Sequence, residues 1–239
     1  MEDFNINDLR EESRNLRQII ISTNPELEVV INRYIFLIHS GGKEVEDLQE
    51  EVKYLKTLVY KDELTGVLNR RGFFDRFSGL FNESFAYKKG TAHARKFELK
   101  DLAIIFVDID DFKKINDEYG HDKGDFVLKK FAEVLQSSIR DEDAIARIGG
   151  EEFVIVLLGA DEDDAYQKSE EIRENIEKNV GKVFDFNKKI TASFGVVSLS
   201  GSNAENLEEL VTLADKAMYE AKHNRGKNNT ARFSEINTP

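Results

Sequence analysis

The sequence predicts an α+β fold: a mixed, mainly antiparallel sheet flanked by helices and preceded by a helical segment. Two observations carry this reading. From residue 61 onward, apolar runs of strand length alternate with amphipathic stretches of helix length, in the order strand, helix, hairpin, helix, strand. Gly149-Gly150 separates the apolar segments Ala144–Ile148 and Phe153–Leu158, which reads as a tight hairpin whose glycines enter φ > 0.

The elements follow in order. Leu9, Leu16, Ile19 and Ile20 mark a first amphipathic helix, which Asn24-Pro25 ends because proline suits a first turn better than an interior. A second helix runs through Ile38, and Gly41-Gly42 stops it. Val45, Leu48, Val52, Leu55 and Val59 then fall at 3-4-3-4 spacing between Glu44, Glu46, Glu50, Glu51, Lys53 and Lys56. That is an a/d seam with charged flanks, expected to serve as a dimerising coiled-coil stalk over about residues 43–60. The same spacing also fits a helix packed within its own domain. The expected division is therefore a helical region over residues 1–60 and a second domain over 61–239, where the candidate chemistry lies. In the second region a helix follows Asn69, Leu102–Val107 is a buried strand, and Lys123–Ile139 is a helix. After the hairpin come a helix over Asp163–Val180, a strand within Lys189–Leu199, a helix over Glu205–His223 and a short strand at Thr230–Phe233. Tyr87–Lys100 is a basic stretch, with Lys88, Lys89, Arg95, Lys96 and Lys100, read as a solvated loop.

Composition narrows the function. A net charge of −12 over 239 residues disfavours a general nucleic-acid binder but leaves room for a nucleotide site with a few local cations and a metal. The chain has no cysteine, which excludes disulfides and thiolate zinc sites. No apolar run is long enough to span a bilayer, and Met1-Glu2-Asp3-Phe4-Asn5 lacks a signal-peptide pattern, so a cytoplasmic location is expected.

Chemistry is concentrated in a few blocks. Gly149-Gly150-Glu151-Glu152-Phe153 places two carboxylates beside a hairpin tip that a ligand can approach closely. Asp108 ends an otherwise apolar strand. Mg²⁺ takes one or two carboxylates plus phosphate oxygens and waters. Strand pairing would bring Asp108 and Glu151 together.

Four blocks in this order and spacing closely resemble the GGDEF family of diguanylate cyclases, in its GGEEF variant, over about residues 61–233. They are Asp62-Glu63-Leu64-Thr65-Gly66-Val67-Leu68-Asn69-Arg70, the run from Ile104 through Asn116-Asp117 to Asp125, the hairpin, and Ala214-Asp215-Lys216-Ala217-Met218-Tyr219-Glu220-Ala221-Lys222. The resemblance implies a palm-like, ferredoxin-related core and the condensation of two GTP into cyclic di-GMP and two pyrophosphates. The enzyme would be a homodimer with one GTP per subunit.

The resemblance also assigns residues. Asp108, the Ile109 carbonyl and Glu151 hold Mg²⁺, with Mn²⁺ as a substitute, and Glu152 is a further ligand or helps deprotonate the attacking 3′-hydroxyl. Gly149, Gly150, Phe112 and Lys113 lie along the nucleotide. Asn116 and Asp125 suit guanine, whose N1–H and amino group pair with a carboxylate, whereas adenine leaves those groups unpaired. From local sequence alone, Asp125 reads as a helix N-cap and Asn116 as a turn residue. Family members that make mixed adenine–guanine products tend to carry a smaller residue in place of Asp125. Lys222 is placed at the terminal phosphates. Beyond it the chain departs from the family pattern: three residues (His223, Asn224, Arg225) rather than two precede Gly226-Lys227-Asn228. Arg225 and Lys227 are both left as candidates for the second cation.

Arg140 and Asp143 match the family's inhibitory product site. The second arginine that often completes that site is Glu171 here, with Arg173 nearby, so inhibition is expected to be weaker or differently assembled. The rival readings are a non-catalytic module that senses GTP or cyclic di-GMP and a mixed-product dinucleotide cyclase.

Overall fold

A computed structural model describes residues 6–25, 27–39, 44–90, 99–180 and 189–236. The chain divides between Glu63 and Leu64 into two compact units.

The first unit packs three helices, α1 (Ile6–Thr23), α2 (Leu27–His39) and α3 (Glu44–Tyr60), around one apolar core. Leu9, Leu16 and Ile20 of α1 and Ile31 and Ile35 of α2 meet Leu48, Val52, Leu55 and Val59 of α3. The a/d seam of α3 is therefore filled by helices of its own chain. A stalk through these residues requires α3 to exchange those helices for a second copy. Gly41-Gly42 and the side chain of Val45 lie outside the described residues. Glu51 departs from its expected place on a charged flank. It is fully buried and accepts hydrogen bonds from Ser13 Oγ and from Arg17 Nε (3.0 Å) and Nη2 (2.5 Å). A charge so deep persists because it is both paired and hydrogen-bonded.

The second unit is built on a six-stranded sheet: β1 (Leu68–Asn69), β2 (Leu102–Ile109), β3 (Ala144–Arg147), β4 (Glu152–Leu158), β5 (Ala192–Ser198) and β6 (Thr230–Arg232), in the order β1-β3-β4-β2-β5-β6. The central pairs β3/β4, β4/β2 and β2/β5 are antiparallel, and the edge pairs β1/β3 and β5/β6 are parallel. All eight residues of β2 are buried, as its unbroken apolar run demands of a central strand covered on both faces. One face packs under α5 (Phe112–Tyr119), α6 (His121–Ser137) and α7 (Glu162–Asn179), through residues such as Phe131, Phe153 and Ile172. The other lies under α4 (Arg70–Lys88) and α8 (Leu207–His223), through Phe73, Phe77, Leu210 and Ala214. A short helix, α9 (Phe233–Ile236), follows β6.

Local chemistry sets the ends of these elements. The Asn69 side chain accepts from Gly72 N (2.8 Å) at the start of α4, and Asp161 and Asn206 cap α7 and α8 in the same way. At Gly195 an added Cβ would lie 2.0 Å from the Met218 nitrogen, so only glycine lets α8 lie this close to β5. The basic stretch also differs from expectation. α4 continues through Lys88, whose ammonium donates to the carbonyls of Leu199 (2.6 Å) and Ser202, while Arg95 and Lys96 lie outside the described residues.

Candidate functional site

Sheet register assembles the site. Asp108, the penultimate residue of β2, pairs with Glu152 on one side and Ser193 on the other. Ile109 N donates to the Glu151 carbonyl at 3.4 Å, so the end of β2 lies against the hairpin carrying both glutamates. α8, seated close to the sheet by Gly195, brings Lys222 to the same point, where its Nζ donates to Asp108 Oδ1 at 2.5 Å.

The electrostatics are those of crowded carboxylates. Burial raises the Asp108 carboxyl above its ordinary pKa and Glu151 and Asp110 push the same way, against the lowering by Lys222. Burial also raises Glu152, helped by Asp108, Asp215 and Glu151. Like charges held together in a partly buried pocket favour a cation or a proton. The donors are all oxygen, which suits a hard divalent cation. Among the described residues no group of three or more acidic or histidine side chains forms a cage, and Mg²⁺ does not require one when phosphates and waters complete its shell.

The hairpin differs from the expected tight turn. Neither Gly149 nor Gly150 has positive φ. Arg147 pairs with Phe153, Ile148 N donates to the Glu152 carbonyl (3.0 Å), and Arg147 closes the loop on the Gly150 carbonyl with Nε (3.0 Å) and Nη2 (2.7 Å). An added Cβ at Gly149 would lie 2.0 Å from Glu152 Oε2, so any side chain there would displace the Glu152 carboxylate from its present position. Gly150 has open space about its Cα.

Asn116 and Asp125 lie on α5 and α6. Asp125 is exposed and sits inside α6 rather than at its N-cap, which is Gly120, and Asn116 is in the last turns of α5 rather than in a turn. Gly124 links the two: an added Cβ would stand 1.9 Å from Asn116 Oδ1. Phe112 is buried in the core, so its backbone is what it offers at the start of α5, and Lys113 is exposed.

Lys227 and Arg225 diverge. Arg225 Nη1 is bound to Glu235 (2.7 Å), whereas Lys227 Nζ reaches Asp111 Oδ1 (2.9 Å) on the loop that follows Asp108. Asp111 also holds Lys114 (2.7 Å), and hydrogen bonds from Lys114 and Lys227 keep its carboxyl below the ordinary range. Asp110, buried, accepts from Thr191 Oγ1 (2.7 Å), Ser193 Oγ (2.7 Å) and Asn228 N (2.9 Å). It therefore ties the end of β2 to β5 and to the loop after α8.

Arg140 and Asp143 lie apart from these residues, beside a 290 Å³ pocket whose wall includes Lys168 and Glu171. Asp143 Oδ1 accepts from Leu158 N (2.9 Å), which fixes the loop to the end of β4, and Arg140 is largely exposed. Lys168 donates to Glu171 at 2.6 Å. Arg173 does not line this pocket; its guanidinium grips Glu170 and Asn228.

The sequence reading gave Gly124, Gly195, Asp110 and Asn228 no role in the site. The two glycines carried a signal, since a glycine inside a helix or strand points to close approach. The two polar residues carried none, because their partners come from distant segments.

Comparison with known proteins identifies the family and the fold. The family model described as "Diguanylate cyclase, GGDEF domain" matches residues 59–229. A Vibrio cholerae diguanylate cyclase is 35% identical over 205 residues, 86% of this chain and 59% of that protein. The probable diguanylate cyclase DgcT of Escherichia coli is 35% identical over 173 residues, 72% of this chain and 35% of that protein. The chain thus spans between about a third and three-fifths of the length of these relatives. Among solved structures, the coiled coil and GGDEF domain of DgcB from Caulobacter crescentus, in complex with c-di-GMP, superposes with a TM-score of 0.66 at 26% identity, covering 79% of this chain and 93% of that one. The active GGEEF domain of a Vibrio cholerae diguanylate cyclase gives 0.58 at 35% identity, covering 69% and 96%. Family match, relatives and sheet architecture converge: this chain belongs to the GGDEF family.

Proposed function

We propose that this chain is a diguanylate cyclase that condenses two GTP into cyclic di-GMP with release of two pyrophosphates. The observation that carries the reading is the register that sets Asp108 opposite Glu152, with Lys222 donating to Asp108. Asp108, the Ile109 carbonyl and Glu151 would hold Mg²⁺, or Mn²⁺ in its place. When bound, the metal lowers the pKa of the attacking 3′-hydroxyl and steadies charge at the α-phosphate. Glu152, its pKa raised by burial and by its acidic neighbours, is suited to take up that proton. Asn116 and Asp125 select guanine, and backbone at Phe112, Lys113, Gly149 and Gly150 follows the nucleotide. With a metal on Asp108, Lys222 would be free to serve the terminal phosphates, and Lys227 would supply the second cation, since it reaches the loop after Asp108 while Arg225 is bound to Glu235.

One subunit holds one GTP, so the product requires two domains face to face, in a homodimer. In this reading the protein works in the cytoplasm, and no described helix is long and apolar enough to cross a membrane. Arg140 and Asp143 would take product at a separate inhibitory site, weakened because Glu171 holds Lys168.

The deciding experiment is product analysis by mass spectrometry after incubation with Mg²⁺ and GTP, with ATP added in a parallel reaction. Cyclic di-GMP as the dominant product in both is expected. A mixed adenine–guanine product overturns the specificity assigned to Asn116 and Asp125. Absence of any product from a folded dimer that binds GTP overturns the cyclase reading in favour of a sensor.

A further inference from the structure

The loop after α8 carries the extra residue that distinguishes this chain from its family pattern, and it is strained. Gly226, Lys227 and Asn228 are three consecutive residues with positive φ, at 92°, 62° and 45°. Only the first is glycine. Left-handed backbone at a non-glycine residue persists only where its surroundings impose it.

Three groups hold Asn228, one on the loop after β2 and two on α7. Its backbone N donates to Asp110 Oδ2 at 2.9 Å, its Oδ1 accepts from Arg173 Nη1 at 3.2 Å, and its Nδ2 donates to Glu177 Oε2 at 3.2 Å. Arg173 is itself fixed by a bidentate pair with Glu170, Nε to Oε1 at 3.0 Å and Nη2 to Oε2 at 2.8 Å. Thr230 Oγ1 donates to the same Glu170 at 2.6 Å, and Lys189 holds Glu177 at 2.6 Å. A guanidinium does this because its planar fork engages a carboxylate on one edge and leaves the remaining nitrogen for a third partner. The residue next to Asn228 is Lys227, whose ammonium stands 2.9 Å from Asp111 on the loop after Asp108.

We infer that Arg173 is a positioning residue: through Asn228 it braces the strained loop that aims Lys227 at the substrate phosphates. The inference rests on the placement of Lys227 under the proposed function. It gives Arg173 a role in substrate binding on the catalytic side, away from the pocket of Arg140.

The test is a double-mutant cycle read by calorimetry on the full chain with Mg²⁺ and the α,β-methylene analogue of GTP, which cannot be cyclised. Arg173→Ala and Lys227→Ala should each weaken binding about tenfold, the scale of one contact to a charged group. The double variant should bind no more weakly than Lys227→Ala alone, because Arg173 acts through that lysine. Arg173→Lys should keep most of the loss, since an ammonium cannot span Glu170 and Asn228. Asn228→Gly separates tethering from folding: glycine relaxes the positive φ, so the melting temperature should hold while affinity falls. Additive losses, wild-type affinity in folded Arg173→Ala, or wild-type affinity in Asn228→Gly would overturn the inference. Wild-type affinity in Lys227→Ala would overturn both the brace and the phosphate role of Lys227. The cyclase reading is judged separately by its product, so an inactive protein that binds the analogue still decides the brace.

Discussion

Two buried carboxylates of this chain, Glu51 in the helical unit and Asp108 in the sheet unit, are treated in opposite ways. In the helical unit, Glu51 is compensated: Arg17 and Ser13 converge on one oxygen. In the sheet unit, burial raises Asp108, with Glu151 and Asp110 adding to it against one ammonium partner, and burial raises Glu152 beside it, with three acidic neighbours adding to it. The first arrangement holds helices together. The second is frustrated without a cation, and frustration of this kind marks a site prepared for a ligand rather than for stability.

The largest effect that tests the contrast is on activity. Glu151→Ala should reduce cyclic di-GMP formation by at least about 10³-fold, because the charge that holds the metal at the reacting phosphate is gone. Its melting temperature in EDTA should not fall, since the substitution removes a repelling charge. A variant that turns over normally would remove Glu151 from the metal site.

The helical unit should respond in the opposite sense. Arg17→Ala removes the guanidinium that donates to the buried Glu51 carboxylate. Loss of one partner from a fully buried pair costs about 3–5 kcal/mol, and the partial exposure of Arg17 brings the expectation to about 1–3 kcal/mol. Glu51→Met, which removes the charge and fills its space, should be close to neutral. Urea unfolding followed by helical circular dichroism measures both. If Glu51→Met were as destabilising as Arg17→Ala, the pair would be a net source of stability rather than a satisfied burial. Leu55→Ala, at the fully buried centre of the same core, should cost about 2–5 kcal/mol. If α3 instead exchanges its partners for a second copy, that loss will depend on protein concentration, which repeating the melt at several concentrations reveals.

Much of this arrangement was legible from the residues, for reasons that differ by region. β2 was readable because a strand covered on both faces must be apolar throughout. α6 and α8 were readable because their apolar residues keep helical spacing. The metal ligands and guanine-facing pair proposed above rested on the family pattern, since a strand-end aspartate and a helix-borne Asp125 have ordinary local explanations. Three features were hidden. The burial of Glu51 depends on Arg17, thirty-four positions away, and heptad spacing is silent about inward-facing charge. The hairpin was misread because a glycine pair signals either positive φ or missing volume, and here Gly149 supplies volume for Glu152. The split between Arg225 and Lys227 depends on a backbone that turns left-handed for three residues, which no side-chain pattern encodes.

The smallest expected effect probes the frustration of the site directly. Glu152 has a pKa above its ordinary value in the folded protein, so between its unfolded and folded values the native state binds more protons than the unfolded one. The ionised side chain therefore weakens the metal-free fold above the folded pKa, and that weakening is relieved as pH falls through it. Asp111 and Glu170, lowered by their lysine and arginine partners, run the other way: their contribution is present above their unfolded values and is lost only at lower pH. Near neutral pH in EDTA, Glu152→Gln should thus be slightly more stable than the wild type, and the gap should close as pH falls through the raised pKa of the wild-type side chain and that side chain takes up its proton. Saturating Mg²⁺ at neutral pH should reverse the order, because the metal stabilises the carboxylate form by mass action and the amide loses that gain. A gap that does not change with pH or Mg²⁺ would mean that Glu152 senses neither its acidic neighbours nor the ion, and the site would lose its contrast with Glu51.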